Sequence, residues 1–383
     1  MTRRSASRSR RAAAAAIFGF ALLVLAAAGP AEGQAIIKVS DTVSLRFGVL
    51  LQGWADWMEL PNAALTDTIG YQQNFYLRRA RFLFAGRLTK DVYFWMETEN
   101  SNLGKAAAPS TNKALGTGFQ LLTAWGEWRI ADAFMLEGGL IRVPYSRIAM
   151  TAAGTQLVLD TPSATYLQQV PTQSTGGNRD TGFEARGYFL AHRLEYRAGV
   201  FQGVRQTAQS KNSFRYTGRL QYELLDLEDM YSPTYIGSTS YAGSYLGDKK
   251  VLAVGAAFDT QKDYNYYSGD VFASIPLGDG SVESTFQYQY ISGGATFPTA
   301  LPTQNTMDID LGYYIKSAKL APVFRYEQRV LNGQSKKDYR ICGGLNWYPF
   351  KYNFNVKGLY QRITPTTGPS LNEFTLQLQF YYW

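Results

Sequence analysis

Between Phe214 and Leu224 the chain alternates without a break. Phe214, Tyr216, Gly218, Leu220, Tyr222 and Leu224 are interleaved with Arg215, Thr217, Arg219, Gln221 and Glu223. A strand sends successive side chains to opposite faces, so this segment has one aromatic and aliphatic face and one charged face. The same period recurs from Ser281, Thr306, Asp338, Tyr352 and Glu373. Each stretch is about ten residues long, the length of a tilted strand across a bilayer. From Thr306, Met307, Ile309, Leu311, Tyr313 and Ile315 oppose Asp308, Asp310 and Lys316. A soluble β-sandwich would leave these aromatic stripes in water, which is an aggregation hazard. The pattern therefore points to an all-β fold, a transmembrane antiparallel β-barrel with lipid outside and water inside.

The N-terminus reads as an export signal. Arg3, Arg4, Arg8, Arg10 and Arg11 precede an apolar run from Ala12 to Ala28, and Ala31-Glu32-Gly33 offers small residues at a cleavage spacing. The expected division is a signal peptide at 1–34 and one outer-membrane barrel at 35–383, reached through the secretory pathway. Removing 1–34 takes away five Arg and Glu32, so the net charge of +8 falls to +4. No basic block suggestive of nucleic acid remains. The sole cysteine, Cys342, excludes an intrachain disulfide. Tyr is the commonest aromatic, at 27 residues, and its ring with a polar tip suits the membrane–water interface.

Sixteen strands are expected, starting near Val43, Phe75, Asp91, Phe119, Ala133, Thr181, Arg193, Phe214, Val251, Tyr267, Ser281, Thr306, Leu320, Asp338, Tyr352 and Glu373. An even number is what a single-chain bacterial barrel requires. Short connections at 88–90, 130–132, 277–280 and 348–350 read as periplasmic turns. Longer ones at 55–74, 103–118, 225–250, 292–305 and 364–371 read as extracellular loops. The longest, Val143 to Asp180, contains Leu157-Val158-Leu159 and is too apolar for a solvated loop. A long connection in a compact fold is usually functional, and in a pore it would fold into the lumen as a constriction. The alternative is a loop that covers the mouth or reaches a neighbouring subunit.

Lumen-facing cations are the candidate site, because basic rings in a pore attract anions and Arg pairs two oxygens of phosphate or carboxylate. In Phe75-Tyr76-Leu77-Arg78-Arg79-Ala80-Arg81, strict alternation places Arg79 and Arg81 in the lumen. Tyr76, Ala80, Phe82 and Phe84 then face lipid, and Arg78 snorkels near a rim. Arg142 and Arg147 flank the start of the long loop. Arg215, Arg219, Arg340 and Lys357 complete the set. The competing reading is that these cations pair with wall carboxylates such as Glu97, Glu99, Glu184 and Glu223. His192, the one histidine, lies beside Arg193 in a tight turn, where a catalytic role has little support. One Cys and one His exclude the usual zinc sites. No cofactor, metal site or enzymatic activity is expected.

The stretch Leu77-Arg78-Arg79-Ala80-Arg81, followed by Gly86-Arg87-Leu88-Thr89-Lys90-Asp91, resembles the phosphate-selective porin O and P family. So does Gly139-Leu140-Ile141-Arg142-Val143-Pro144-Tyr145-Ser146-Arg147. The resemblance implies a 16-stranded, homotrimeric outer-membrane barrel whose third loop constricts the pore, with small anionic solutes as cargo. Two departures bear on phosphate: Arg142 stands where lysine is common, and 143–180 contains no Lys. The closing run Phe374, Leu376, Leu378, Phe380, Tyr382, Trp383 resembles the signal read by the outer-membrane assembly machinery, although Trp383 falls in the phase of Gln377 and Gln379. The expectation is a porin for passive diffusion of small solutes with modest anion preference. A structural or adhesive barrel with a plugged lumen, or an enzyme using His192, are the alternatives.

Overall fold

The computed structural model describes residues 35–61, 69–106, 113–162, 178–203, 213–228, 239–292 and 302–383. The expected signal peptide at 1–34 lies outside them, apart from the boundary at Ala35. A short strand, β1 (Ala35–Lys38), comes first. Sixteen longer strands follow: β2 (Ser44–Pro61), β3 (Ile69–Arg87), β4 (Val92–Leu103), β5 (Gln120–Ala131), β6 (Phe134–Arg142), β7 (Arg179–Phe189), β8 (Leu194–Phe201) and β9 (Arg215–Glu223) form the first half. The second half is β10 (Val251–Gln261), β11 (Tyr264–Leu277), β12 (Gly280–Ile291), β13 (Gln304–Ile315), β14 (Leu320–Leu331), β15 (Asp338–Phe350), β16 (Phe354–Thr364) and β17 (Leu371–Tyr382). Each pairs antiparallel with its neighbours in sequence, and β17 pairs with β2, which closes the barrel.

The burial pattern is inverted relative to a soluble protein. Along β9, Arg215, Thr217, Arg219, Gln221 and Glu223 are buried while Tyr216, Leu220 and Tyr222 are exposed. Phe183, Leu345, Tyr360 and Phe374 likewise project outward from other strands. The apolar face belongs to lipid, and the polar face packs inside.

The strand starts agree with the sequence period to within a few residues, except where the chain bends. The first hairpin is longer than expected, because β2 and β3 take in most of the 55–74 stretch. A β-bulge also interrupts it: Gln52 opposes Arg79 while Gly53 opposes Leu77, leaving Arg78 as the extra residue. A bulge breaks the period of two. Strict alternation therefore fails at this point. Tyr76 faces inward rather than lipid, and Arg78 points into the lumen beside Arg79 rather than snorkelling at a rim. Gly139 serves a related need. Its φ is +137°, and a Cβ there would sit 2.2 Å from the Ala124 carbonyl oxygen across the β5–β6 pair.

Counting strands also corrects one loop. The 225–250 segment joins β9 to β10, which puts it at the same end of the barrel as the short turns at 88–91, 277–280 and 350–354. It is not one of the long loops at the opposite mouth, as its length had implied. Residues 239–250 of this connection and residues 143–162 turn inward.

Candidate functional site

The long loop leaves β6 at Val143 and crosses the lumen. Ser146 caps a single helical turn, Arg147–Met150, by accepting a hydrogen bond from the Ala149 N–H at 3.1 Å. Val143, Tyr145 and Ala149 pack among inward-facing Trp95, Trp125, Phe201 and Tyr266. Farther on, Leu157, Val158 and Leu159 seat against Val323, Cys342, Tyr348 and Leu359 of the β14–β16 wall. The apolar run that looked out of place in a loop is thus an anchor. Polar contacts fix the same stretch: Asn346 Nδ2 donates to the Leu157 carbonyl at 2.8 Å, and Lys357 Nζ donates to the Gln156 carbonyl. Near the end of the described stretch, the Asp160 carboxylate accepts from Arg78 and Arg79 of β3 at 2.6 and 2.5 Å, and its carbonyl accepts from Arg325 of β14.

Residues 239–250 of the β9–β10 connection meet this loop from the opposite end. Tyr241 and Thr151 form a short parallel bridge: the Ala152 N–H donates to the Tyr241 carbonyl, and the Tyr241 N–H donates to the Met150 carbonyl, both at 2.9 Å. The Gly243 N–H donates to Thr155 Oγ1 at 3.1 Å. Arg147 is the centre of the junction. Its guanidinium donates to both oxygens of Glu228 at 2.7 and 2.8 Å and lies 3.8 Å from the Phe272 ring centroid. Burial works against the Arg147 charge, but Glu228 more than offsets it and holds the group above its ordinary range. With a side chain 1 % exposed, Arg147 is shut off from solvent and serves the junction instead of the anion field expected of it.

The remaining expected cations are placed on the inner face, and most have carboxylate partners. Arg81 pairs with Glu97 and Glu99, Arg215 with Asp259 and Asp180, and Arg219 with Asp270. Arg79 bonds Gln52 as well as Asp160. Two pairs the sequence did not single out, Arg186 with Glu127 and Glu137, and Arg197 with Glu184 and Glu195, extend the network on the β5–β8 wall. Buried charges need such partners, since an isolated ion without solvent is costly. Arg142 donates to the Ala149 and Thr151 carbonyls, so it holds the loop's helical turn. Arg340 differs from all of these. It is half-buried on β15 and makes no side-chain ion pair or hydrogen bond among the described residues. His192 sits in the β7–β8 turn, 3.2 Å from Asp132 and near the Tyr188 ring.

Arg340 lines a cavity of about 350 Å³ between residues 158–161 of the loop and the wall. Trp54, Met58, Tyr76, Leu159 and Leu359 supply apolar lining. The charged lining comprises Arg78, Lys105, Arg325 and Arg340 against Asp160, Glu327 and Glu373, four cations to three carboxylates. Lys105 lies on the β4–β5 side, 3.4 Å from Asp56. Sequence reasoning missed Asp160 and Glu228, the two carboxylates that fasten the inward segments. Glu228 lies past the end of β9, where strand alternation no longer applies. Nothing in the sequence distinguished Asp160.

A closed barrel with a charge-paired interior and an inward loop after its fifth barrel strand matches a known group of channels. The family described as phosphate-selective porin O and P matches residues 49–228. Over those residues, just under half of the chain, the sequence is similar to that family. The porin is 21% identical over 295 residues to an uncharacterised protein of Aquifex aeolicus (strain VF5), covering 68% of this chain and 67% of the relative. Among solved structures, Salmonella typhi OmpF in complex with daunomycin is similar in fold, with a TM-score of 0.57 at 14% identity, covering 90% of the porin and all of OmpF. The Vibrio cholerae OmpT variant lacking loop L8 gives 0.54 at 12% identity over 89% of the porin and all of OmpT. The Acinetobacter baumannii outer-membrane channel DcaP gives 0.53 at 11% over 90% of the porin and 99% of DcaP. Family and fold together make the chain an outer-membrane porin.

Proposed function

We propose that the porin passes small solutes by passive diffusion, with a weak anion preference set at the mouth cavity. The observation that carries this reading is the position of Arg340: of the four cations lining the cavity, Arg78, Lys105 and Arg325 each have a carboxylate within 4 Å, and Arg340 has none among the described residues. A weakly paired guanidinium beside low-dielectric walls attracts anions. Arg79, Arg81, Arg215 and Arg219 contribute less to the field, because each is opposed by a carboxylate within hydrogen-bonding distance. Arg142, Arg147 and Lys357 act as anchors of the constriction loop. Residues 1–34 would direct export through the secretory pathway, the barrel would be inserted by the outer-membrane assembly machinery, and the working unit would be a homotrimer. Phosphate is not the favoured solute, since 143–180 offers no lysine and the mouth cavity only Lys105.

The test is a reversal potential across a planar bilayer in a KCl gradient. Wild type should show a modest anion-selective potential, and Arg340→Glu should abolish or invert it. An unchanged potential in Arg340→Glu would remove the cavity from the account. A second reading, a plugged structural barrel, draws on the Thr151–Tyr241 bridge and the Arg147–Glu228 pair that join both inward segments across the lumen. No conductance in any variant would favour it.

A further inference from the structure

We infer that the mouth cavity is a binding site for a small organic monocarboxylate with an apolar or aromatic body. The inference rests on the porin reading above and names the class of solute that would pause there. Its volume of about 350 Å³ lies at the small end of ligand cavities, roughly 300–1,000 Å³. The donors decide the charge. The Arg78 fork is occupied by Asp160 at 2.9 and 2.6 Å, and the Arg325 fork by Asp310 at 2.6 and 2.7 Å. Lys105 lies 3.4 Å from Asp56 and donates to the Tyr76 hydroxyl at 3.1 Å. Glu327, the register partner of Arg340 on β14, lies 4.0 Å from Arg325 instead. That leaves the Arg340 guanidinium with no direct ion pair among the described residues, while Glu373 is held by Gln361 and Thr375, so the free fork can take one carboxylate.

A phosphate dianion needs several donors to replace its hydration, and here Asp160 and Glu373 would repel its second charge. The rest of the lining selects the body of the ligand. Trp54 and Tyr76, whose ring centroids are 6.0 Å apart, form an aromatic wall, and Leu159 of the loop faces the same space. An apolar ring gains there what a bare acetate cannot, through burial of its surface.

The experiment titrates benzoate, acetate and inorganic phosphate against chloride current through the full-length porin in a bilayer. It is paired with calorimetric titration of the same anions into the detergent-solubilised protein. Benzoate should block saturably at a concentration at least about tenfold below acetate, as expected for burying a ring, and below phosphate. Arg340→Gln should weaken benzoate and acetate together, whereas Trp54→Leu should weaken benzoate and leave acetate unchanged. Equal potency of benzoate and acetate would overturn the apolar recognition. Tighter block by phosphate would overturn the monoanion assignment. If no variant conducts, yet calorimetry shows benzoate binding that Arg340→Gln abolishes, the porin reading fails and the site stands. Absence of binding in calorimetry sinks the site whatever the currents show.

Discussion

The Arg147–Glu228 pair is the place where one substitution should unfasten the lumen. Replacing Glu228 by Ala leaves a guanidinium 1 % exposed between Phe272 and Tyr241 with its carboxylate gone. Removing one partner of a buried ion pair costs about 3–5 kcal/mol. Arg147 would keep its hydrogen bond to the Ala242 carbonyl at 3.1 Å and some attraction from Asp270, so the lower end of that range is expected. The loss falls on the junction of two loops and not on the sheet ladder, so it should appear as local opening. At about 1.4 kcal/mol per tenfold change, the opening equilibrium should rise on the order of a hundredfold. Hydrogen exchange of residues 145–156 in the detergent-solubilised protein reads this directly, with the β12–β14 amides as the internal control. The double variant Arg147→Met, Glu228→Leu should restore most of the protection, because an apolar pair of similar shape needs no counter-charge. Exchange in Glu228→Ala within about threefold of wild type would refute the reasoning, since a latch worth several kcal/mol cannot be lost silently.

Three further outcomes follow from the geometry. Burial works against the Asp160 charge, but Arg78, Arg79 and the Thr161 N–H hold its carboxyl below the ordinary carboxylate range. Its anchoring of the loop is therefore complete above the ordinary Asp value of about 3.9 and lost only as pH falls through the lowered folded value. Single-channel conductance should show a step in acid, well below about pH 5, that Asp160→Asn removes; an acid step of the same size in Asp160→Asn would contradict the assignment. Gly139→Ala should cost about 1–3 kcal/mol of backbone strain and further displace the β5–β6 pair, where a Cβ meets the Ala124 carbonyl oxygen at 2.2 Å; retained heat resistance on an electrophoretic mobility assay would count against it. Trp383 turns inward, with its ring 4.7 Å from Trp95 and under the Arg46 guanidinium at 4.1 Å. Trp383→Ala should lower barrel stability by about 1–3 kcal/mol without preventing membrane insertion, and loss of insertion would mean that the terminal ring serves assembly instead.

The barrel was legible because its cause is local. A strand between lipid and lumen must alternate, so each stretch such as Phe214–Leu224 carries its own two-faced pattern, whatever lies beside it. The same rule placed Arg215, Arg219, Arg340 and Lys357 on the inner face. It failed at Arg78, where one extra residue against Gln52 and Gly53 shifts the phase and sends Tyr76 inward. Nothing within β3 marks that bulge; it exists only in the pairing with β2.

What the inner face does was decided farther away. Arg219 reads the same in sequence whether it awaits an anion or holds Asp270, and the choice comes from strands that are distant in the chain but adjacent in the closed sheet. Arg147 and Glu228 are 81 positions apart, and their meeting depends on two connections entering one lumen from opposite ends. Sequence alone determined the class of fold, the inward polar face and the long loop's apolar anchor, because alternation and hydrophobicity are properties of a segment. Only the closed barrel determined which charges are matched and that Arg340 is left facing a cavity, because neutralisation of a buried charge is a property of what surrounds it.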